Sequence, residues 1–122
     1  MKREIIVTSD GSTTIHLPDW DEQYHSKHGA IQEAYHVFIK HGLEFISKAE
    51  ISVLEMGFGT GLNAFITFLE AQKRSLKIDY TGVEAYPVSD KEIEKLNYVS
   101  ELNGEDSSDI FDKLHSISWE EK

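Results

Sequence analysis

The chain has 122 residues, which is the size of one domain and enough to bury a core. Its formal net charge of -10 disfavours direct binding of this chain to a nucleic-acid phosphate backbone. It has no cysteine, which excludes disulfides, thiolate metal sites and a cysteine nucleophile. No apolar run approaches the roughly 20 residues of a membrane-spanning helix, and Met1 to Glu4 do not resemble the start of a signal peptide. We therefore expect a cytoplasmic protein with no membrane contact.

The first elements in the chain are predicted to form a β-hairpin. Glu4 to Ser9 and Ser12 to Leu17 are rich in β-forming residues, and Asp10-Gly11 lies between them. Asp-Gly between two such runs is typical of a tight turn in which both turn residues have φ > 0. Pro18 is expected to end the second strand, because proline cannot donate to a ladder.

The segment from Asp19 to Gly29 is polar and aromatic without a clear period, and is predicted to be a loop or a short helix. Its aromatic residues, which include Trp20 and Tyr24, are expected to cover either a ligand or the core of the domain. His25 and His28 lie three residues apart but have no third ligand at a recognisable spacing, so no metal site is predicted.

A helix is predicted from Ala30 to Lys48, with Gly42 as a point where it could split. Its apolar residues recur at helical spacing and are expected to face one side; they are Ile31, Ala34, Val37, Phe38 and Phe45. Glu33 and His36 lie three residues apart beside this stripe. They are expected to form either a solvated flank or a polar pair that faces a cofactor pocket.

The central motif of the chain is a strand, a glycine-rich turn and a helix. Ile51 to Met56 is predicted to be a buried strand of a parallel sheet, and Leu62 to Lys73 a helix. Gly57, Gly59 and Gly61 lie between them. Glycines permit φ > 0 and a close approach of the ligand, while the start of the helix offers free N–H groups and a positive dipole end to a carboxylate or phosphate.

The spacing of this motif favours S-adenosylmethionine over a dinucleotide. The pattern is G-x-G-x-G rather than G-x-G-x-x-G, and Glu55 precedes the first glycine by two residues. A carboxylate there would repel a pyrophosphate and attract a sulfonium and an ammonium. Glu84, after the predicted strand Ile78 to Val83, lies where an acidic side chain can accept ribose hydroxyls. A turn without a ligand and a nucleotide or dinucleotide site are the alternatives.

The rest of the chain is predicted to be helical. Ser89-x-x-Glu92 has the pattern of a capping box, and the helix that it begins is expected to run to about Asn103. A further short helix is predicted from Asp106 to Leu114. The last residues, 118 to 122, are polar apart from Trp119.

This order of elements predicts an α/β fold, the N-terminal portion of a Rossmann-like domain, preceded by a hairpin. The single domain divides into the hairpin (1–18), an entry loop and helix (19–50) and the start of a cofactor-binding β-α-β unit (51–122). Only two parallel strands are recognisable, whereas sheets usually have about 4–6 strands. The apolar faces Ile93-Leu96-Val99 and Ile110-Phe111-Leu114 are expected to need a wider sheet. We therefore expect an incomplete domain, or a second domain, partner chain or dimer that covers the open edge.

Four segments resemble the MnmC-like tRNA wobble-uridine methyltransferase domain. Glu55 to Asn63 resembles the first motif of that family, and Asp21 to Ser26 its acidic-Tyr-aromatic-Ser entry segment. Glu33 to Phe38 resembles its Glu-x-x-His/Tyr-Val-Phe helix, and Val83 to Pro87 its Glu-x-Phe-Pro segment. The similarity covers roughly Ile5 to Leu102.

The resemblance implies a class I methyltransferase fold and methyl transfer from S-adenosylmethionine to the aminomethyl nitrogen of a modified wobble uridine in tRNA. It implies that the glycines line the methionine part of the cofactor, that Glu84 holds the ribose, and that Tyr24 and Ser26 lie over the pocket. The predicted cofactor-binding residues are Glu55, Gly57, Phe58, Gly59, Gly61, Asn63, Glu84, Ala85, Tyr24 and Ser26.

The chain departs from the family pattern in two places. Tyr35 stands where the family often has Arg, and the later Asp-Ala-Phe segment, which supplies the catalytic acidic residue of the family, has no counterpart. No catalytic residue is predicted, and the chain alone is expected to be inactive. The alternative function is a non-catalytic half-domain or binding module that needs a partner or a C-terminal half.

Overall fold

The computed structural model describes residues 2–117, a mixed α/β chain in which two sheets are found. The first sheet is antiparallel and contains β1 (Glu4–Val7), β2 (Thr13–Leu17) and β3 (Glu22–Gln23). The second is parallel, as predicted, and contains β4 (Glu50–Met56) and β5 (Lys77–Val83). The prediction that β4 is a buried strand is wrong, because only Ile51 and Glu55 along it are buried. The predicted polar end with Trp119 lies outside the described residues.

The helical elements pack on one core and leave one face of the parallel sheet open. They are α1 (Ala30–Ala34), a π-helix (Tyr35–Lys40), a 3-10 turn (Leu43–Phe45), α2 (Leu62–Arg74), α3 (Asp90–Glu94), α4 (Tyr98–Glu101), a 3-10 turn (Glu105–Ser107) and α5 (Ser108–Ser116). The helix after the glycine motif is confirmed, and its apolar side chains Leu62, Phe65 and Ile66 are fully buried. No helix within residues 2–117 could cross a bilayer.

The predicted hairpin is confirmed, but the prediction that both turn residues have φ > 0 is wrong. Within the turn only Gly11 has a positive φ, of 87°. The Gly11 N–H donates to the Thr8 carbonyl (3.0 Å) and the Thr8 N–H to the Ser12 carbonyl (2.8 Å). This is a longer loop that ends on a left-handed glycine. Asp10 does not have a positive φ, and its carboxylate accepts hydrogen bonds from backbone N–H groups.

That carboxylate and its neighbours cap α1. The N-cap residue, Gly29, has no side chain to offer. Instead the Ala30 N–H donates to the Thr8 hydroxyl (3.0 Å), and the Ile31 N–H to the Ser12 hydroxyl (3.1 Å). The next N–H in the helix donates to the Asp10 carboxylate (3.0 Å). Because the first donors of a helix have no partner within it, the hairpin fixes where α1 begins.

The segment predicted as a loop or short helix, Asp19 to Gly29, is mostly irregular but contains β3. A continuous helix from Ala30 to Lys48 is not found, because α1 passes into a π-helix that ends at Lys40. The predicted split at Gly42 is confirmed, since a separate 3-10 turn begins at Leu43. The i→i+5 bonds of a π-helix shift the side chains around its axis. Val37, predicted on the apolar side, lies in this π-helix and is 59% exposed. Phe45, also predicted on that side, lies in the separate 3-10 turn and is 76% exposed.

The continuous helix predicted from Ser89 to Asn103 is also wrong. The capping box is confirmed, but α3 ends at Glu94 and α4 begins only at Tyr98. Between them the Asn97 side chain accepts a hydrogen bond from the Thr13 N–H (2.9 Å) and donates to the Gly11 carbonyl (2.9 Å). The helix therefore breaks at the residue whose side chain hydrogen-bonds the hairpin.

The apolar helix faces that were expected to need a wider sheet pack on the core instead. Phe111 of α5 is buried, and its ring meets Phe65 of α2 edge-on at 5.2 Å. The open apolar surface is a face of the parallel sheet, on which Leu54, Met56 and Val83 are exposed. These residues occupy one face because they alternate with buried neighbours along β4 and pair across to β5.

Candidate cofactor site

A cleft of about 610 Å³ lies beside the glycine turn, between the end of β4, the segment after β5, α1 with the following π-helix, and the segment after β3. The fold brings most of the predicted cofactor residues to its walls: Tyr24, Glu55, Gly57, Phe58, Gly59, Asn63 and Glu84. These residues come from positions as far apart as 24 and 84, so their convergence depends on the packing of the hairpin segment against the parallel sheet.

The glycine turn is held against the end of β5. The Val83 carbonyl accepts hydrogen bonds from the N–H groups of Gly57 (2.7 Å) and Phe58 (3.0 Å). Gly57 and Gly59 have φ values of 86° and 60°, in the left-handed region that favours glycine. A Cβ atom at Gly57 would meet nothing within 4 Å, whereas one at Gly59 would lie 3.2 Å from the Tyr24 ring. The turn therefore leaves room for a ligand along its backbone.

Three predicted residues lie away from the cleft walls. Gly61 packs inside the protein, where a Cβ atom would lie 2.9 Å from the His115 ring. Ala85 is exposed on the surface and does not line the cleft. Ser26 lines a separate, neighbouring pocket, and its hydroxyl accepts a hydrogen bond from the His28 N–H (3.1 Å). Gly61 thus serves close packing at the start of α2.

Glu55 is a buried carboxylate with two donors. Its oxygens accept hydrogen bonds from the Asn63 amide (2.7 Å) and the Tyr80 hydroxyl (2.8 Å). Burial raises the pKa of Glu55, the charge of Glu84 raises it further, and the two hydrogen bonds oppose this. Burial and the charge of Glu55 also raise the pKa of Tyr80, so its phenol stays protonated and donates.

Asn63 has an unsatisfied acceptor. Its amide nitrogen donates to Glu55, but its Oδ1 atom is buried and has no partner among the described residues. A buried polar atom without a partner costs roughly 1–3 kcal/mol. Since Asn63 lines the cleft, a donor group of a ligand placed there would remove that cost.

Glu84 connects the glycine turn to the segment after β5. One carboxylate oxygen accepts a hydrogen bond from the Gly59 N–H (2.6 Å), and the other from the Tyr86 N–H (3.1 Å). An ionised carboxylate has about four acceptor positions. Glu84 therefore keeps capacity for hydroxyl groups of a ligand while it holds the turn.

Two further polar residues line the cleft, His25 and Glu33, and neither was predicted as a cofactor residue. Burial lowers the pKa of His25, and the nearby charge of Glu33 opposes this. Of the two alternatives predicted for Glu33 and His36, Glu33 fits the one that faces the pocket. His36 fits the solvated flank, because it is exposed and meets the edge of the His41 ring (4.6 Å).

Arg3 is a supporting residue that the sequence did not reveal. Its guanidinium donates to the Tyr86 carbonyl (2.9 Å), to the Glu92 carboxylate (2.7 Å) and, at 3.4 Å, to the Tyr24 hydroxyl. The first two partners lie 83 and 89 residues away along the chain. Arg3 therefore holds the N-terminal strand, Tyr24 and the segment after Glu84 together, and no local pattern could have indicated it.

The charge of the cleft is negative. Its lining includes the carboxylates Glu33, Glu55 and Glu84 and the aromatic rings of Trp20, Tyr24, Phe38, Phe58 and Tyr86. No lysine or arginine is found in the part of this lining that the structure describes. Such a site attracts a cation with an aromatic group and repels a pyrophosphate. Within residues 2–117 no group of three or more His, Asp or Glu side chains could hold a metal.

No family model matches the chain. It is 27% identical over 111 residues to the tRNA 5-methylaminomethyl-2-thiouridine biosynthesis bifunctional protein MnmC of Hydrogenovibrio crunogenus. The aligned residues cover 82% of this chain and 16% of that protein. The MnmC protein of Leptospira borgpetersenii is 36% identical over 85 residues, or 62% of this chain and 13% of the relative. The resemblance to MnmC proteins is confirmed.

A solved structure agrees with this similarity. MnmC2 from Aquifex aeolicus superposes with a TM-score of 0.64 at 28% identity, over 73% of this chain and 31% of that chain. The mixed α/β architecture, with helices on a parallel sheet, is thus shared with an MnmC protein. This chain spans 16% and 13% of the length of the two MnmC relatives and 31% of the MnmC2 chain.

Proposed function

We propose that this chain carries the S-adenosylmethionine site of an MnmC-type methyltransferase and forms the N-terminal portion of a Rossmann-like domain. The observation that supports this best is the chemistry of the cleft, where three carboxylates and several aromatic rings lie beside a glycine turn. Among the lining residues that the structure describes there is no lysine or arginine. A dinucleotide would place two phosphates against these carboxylates, which argues against the alternative site.

The residues present fit this cofactor. The carboxylate of Glu55 and the unpaired Oδ1 atom of Asn63 suit the ammonium group, because both are acceptors beside one another. Glu84 has acceptor capacity for the ribose hydroxyls, and the start of α2 offers N–H groups to the carboxylate. When bound, the cofactor supplies an electrophilic methyl group on its sulfonium.

The proposed methyl acceptor is the aminomethyl nitrogen of a modified wobble uridine in tRNA. Support comes from the relatives, which are named as proteins of tRNA 5-methylaminomethyl-2-thiouridine biosynthesis. Because residues 1–122 carry a net charge of -10, contacts to the tRNA phosphates would have to come from basic residues elsewhere.

Calorimetric titration of the chain tests the cofactor. We expect S-adenosylhomocysteine to bind and NAD not to bind. Glu84→Ala is expected to weaken binding by about 1–3 kcal/mol, since the ribose hydroxyls would be left without their acceptor. Glu94→Ala, which removes an exposed carboxylate outside the cleft, is the matched control for the loss of one negative charge. Binding of NAD alone would contradict the proposal.

A second candidate is a non-catalytic half-domain, favoured by the exposed apolar face at Leu54, Met56 and Val83. Exposed patches of this kind are usually covered by another element or partner. Residues 1–122 are expected to bind a hydrophobic dye, and the double substitution Leu54→Ser with Met56→Ser to reduce the fluorescence. The matched control changes two exposed polar residues of the same face, Ser52→Ala and Thr81→Ser. Methyl transfer to undermodified tRNA by residues 1–122 alone would rule this candidate out.

A further inference from the structure

His25 lies in the wall of the cleft between an acid and a hydroxyl group. Only 13% of its side chain is exposed. Its Nδ1 atom is 3.8 Å from the Glu33 carboxylate, and its Nε2 atom is 3.5 Å from the Thr60 hydroxyl oxygen. The backbone N–H of His25 donates to the Thr14 hydroxyl (3.1 Å), which fixes the residue to β2. Nδ1 of the imidazole therefore faces the Glu33 carboxylate, which is an acceptor, and Nε2 faces the Thr60 hydroxyl.

The surroundings of Thr60 favour Nε2 as the acceptor nitrogen of the imidazole. The Tyr98 hydroxyl donates to the Thr60 hydroxyl oxygen (3.1 Å), so the Thr60 proton is free to point at Nε2 of His25. The proton of the neutral imidazole then belongs on Nδ1, facing the Glu33 carboxylate. Thr60 is completely buried and cannot itself reach a substrate. At 3.5 Å its contact is weak, so a stronger donor in the cleft can displace it.

We infer that His25 is the proton acceptor for an amine that enters the cleft, with Glu33 as the residue that positions the imidazole. This inference rests on the proposed function, because an aminomethyl group is an ammonium ion at neutral pH and has no lone pair for attack. It adds a catalytic residue within residues 1–122, where the sequence pattern of the family offered none.

The proton leaves the ammonium ion when its N–H bond breaks; it moves to Nε2 of His25, and the electron pair stays on the substrate nitrogen. With S-adenosylmethionine bound, that lone pair would attack the methyl group, and the electrons of the broken carbon–sulfur bond would remain on sulfur. The imidazolium, stabilised by the Glu33 carboxylate, later releases its proton to solvent.

The charges near His25 suit this role. Burial lowers the pKa of His25, so the imidazole is neutral at neutral pH and can accept a proton. Glu33 faces it from α1, Tyr98 of α4 lies behind Thr60, and Glu55 and Glu84 line the same cleft. These carboxylates attract the incoming ammonium ion and favour the imidazolium after transfer.

A first experiment reads the imidazole directly, without turnover. Two-dimensional ¹H–¹⁵N spectra of residues 1–122 should show neutral His25 with its proton on Nδ1. Glu33→Gln should lower the pH at which His25 titrates, because the carboxylate that favours the imidazolium is gone. A neutral imidazole with its proton on Nε2, or a midpoint that Glu33→Gln leaves in place, would overturn the inference.

A second experiment measures methyl transfer to undermodified tRNA by the full-length protein that carries these residues. His25→Gln is expected to lower the rate about 10²-fold, to remove the acid limb of the pH profile that belongs to the imidazole, and to leave affinity for S-adenosylhomocysteine unchanged. His41→Gln, an exposed histidine outside the cleft, is the matched control. Thermal melting verifies that His25→Gln is folded, and His25→Asn serves as a second variant.

The outcomes separate the two proposals. Wild-type turnover and pH profile in both His25 variants would overturn the role of His25 and leave the proposed function standing. Loss of S-adenosylhomocysteine affinity in these variants would also overturn it, since His25 would then be a cofactor ligand. A wild-type protein that binds no S-adenosylhomocysteine would overturn the proposed function, and the inference with it.

Discussion

Substitution of Gly59 by valine is expected to abolish S-adenosylhomocysteine binding. Gly59 has a φ of 60°, and a Cβ atom there would already lie 3.2 Å from the Tyr24 ring. A residue with a Cβ atom pays about 1–2 kcal/mol in the left-handed conformation, and the valine methyl groups would occupy the cleft. The Gly59 N–H would also move away from Glu84, to which it now donates at 2.6 Å. Calorimetry should detect no binding.

Gly11→Val is the control for this experiment. Gly11 also has a left-handed backbone, with φ of 87°, but it lies in the hairpin turn and does not line the cleft. Its substitution should therefore cost comparable backbone strain and still leave binding measurable. If both variants lost binding equally, strain in the fold rather than obstruction of the cleft would account for the effect, and the glycine turn would not be the ligand site.

Local patterns predicted those parts of the fold that local interactions determine. The strand before the glycine turn, the helix after it and the capping box at Ser89 all have short-range causes, and all are confirmed. The breaks in the other helices have distant causes. Asn97 leaves the helical path because its amide pairs with Thr13 and Gly11, more than 80 residues earlier. A helical period in the sequence carries no trace of such a contact.

The candidate site likewise combines features that local sequence predicts with features that depend on distant contacts. The glycine turn and Glu84 follow from the order of strand, turn and strand, which places both at the carboxyl ends of neighbouring parallel strands. The approach of His25 to Thr60 joins residues 35 positions apart, and it depends on how the segment after β3 lies against the sheet. Supporting residues such as Arg3 are therefore visible only in the folded chain.

The core beneath the glycine turn links the stability of the protein to the site. Tyr98 is completely buried, its ring meets Phe111 at 6.2 Å, and its hydroxyl donates to Thr60 within the turn (3.1 Å). Tyr98→Ala is expected to lower the free energy of unfolding by about 3–5 kcal/mol, as truncation of large buried aromatic side chains does. Since small domains are stable by about 5–15 kcal/mol, this variant should be largely unfolded in mild urea.

Tyr98→Phe separates the ring from its hydroxyl and adds a test in alkaline solution. Loss of the hydroxyl should cost only about 1 kcal/mol, measured by urea unfolding at neutral pH. Burial raises the pKa of Tyr98 from 10.0 to about 12, so between these values the folded state keeps a proton that the unfolded state has released. The free energy of unfolding should therefore fall as pH rises through this range. Tyr98→Phe should show a shallower fall, and an equal fall in both proteins would mean that Tyr98 ionises in the folded state as readily as in the unfolded chain.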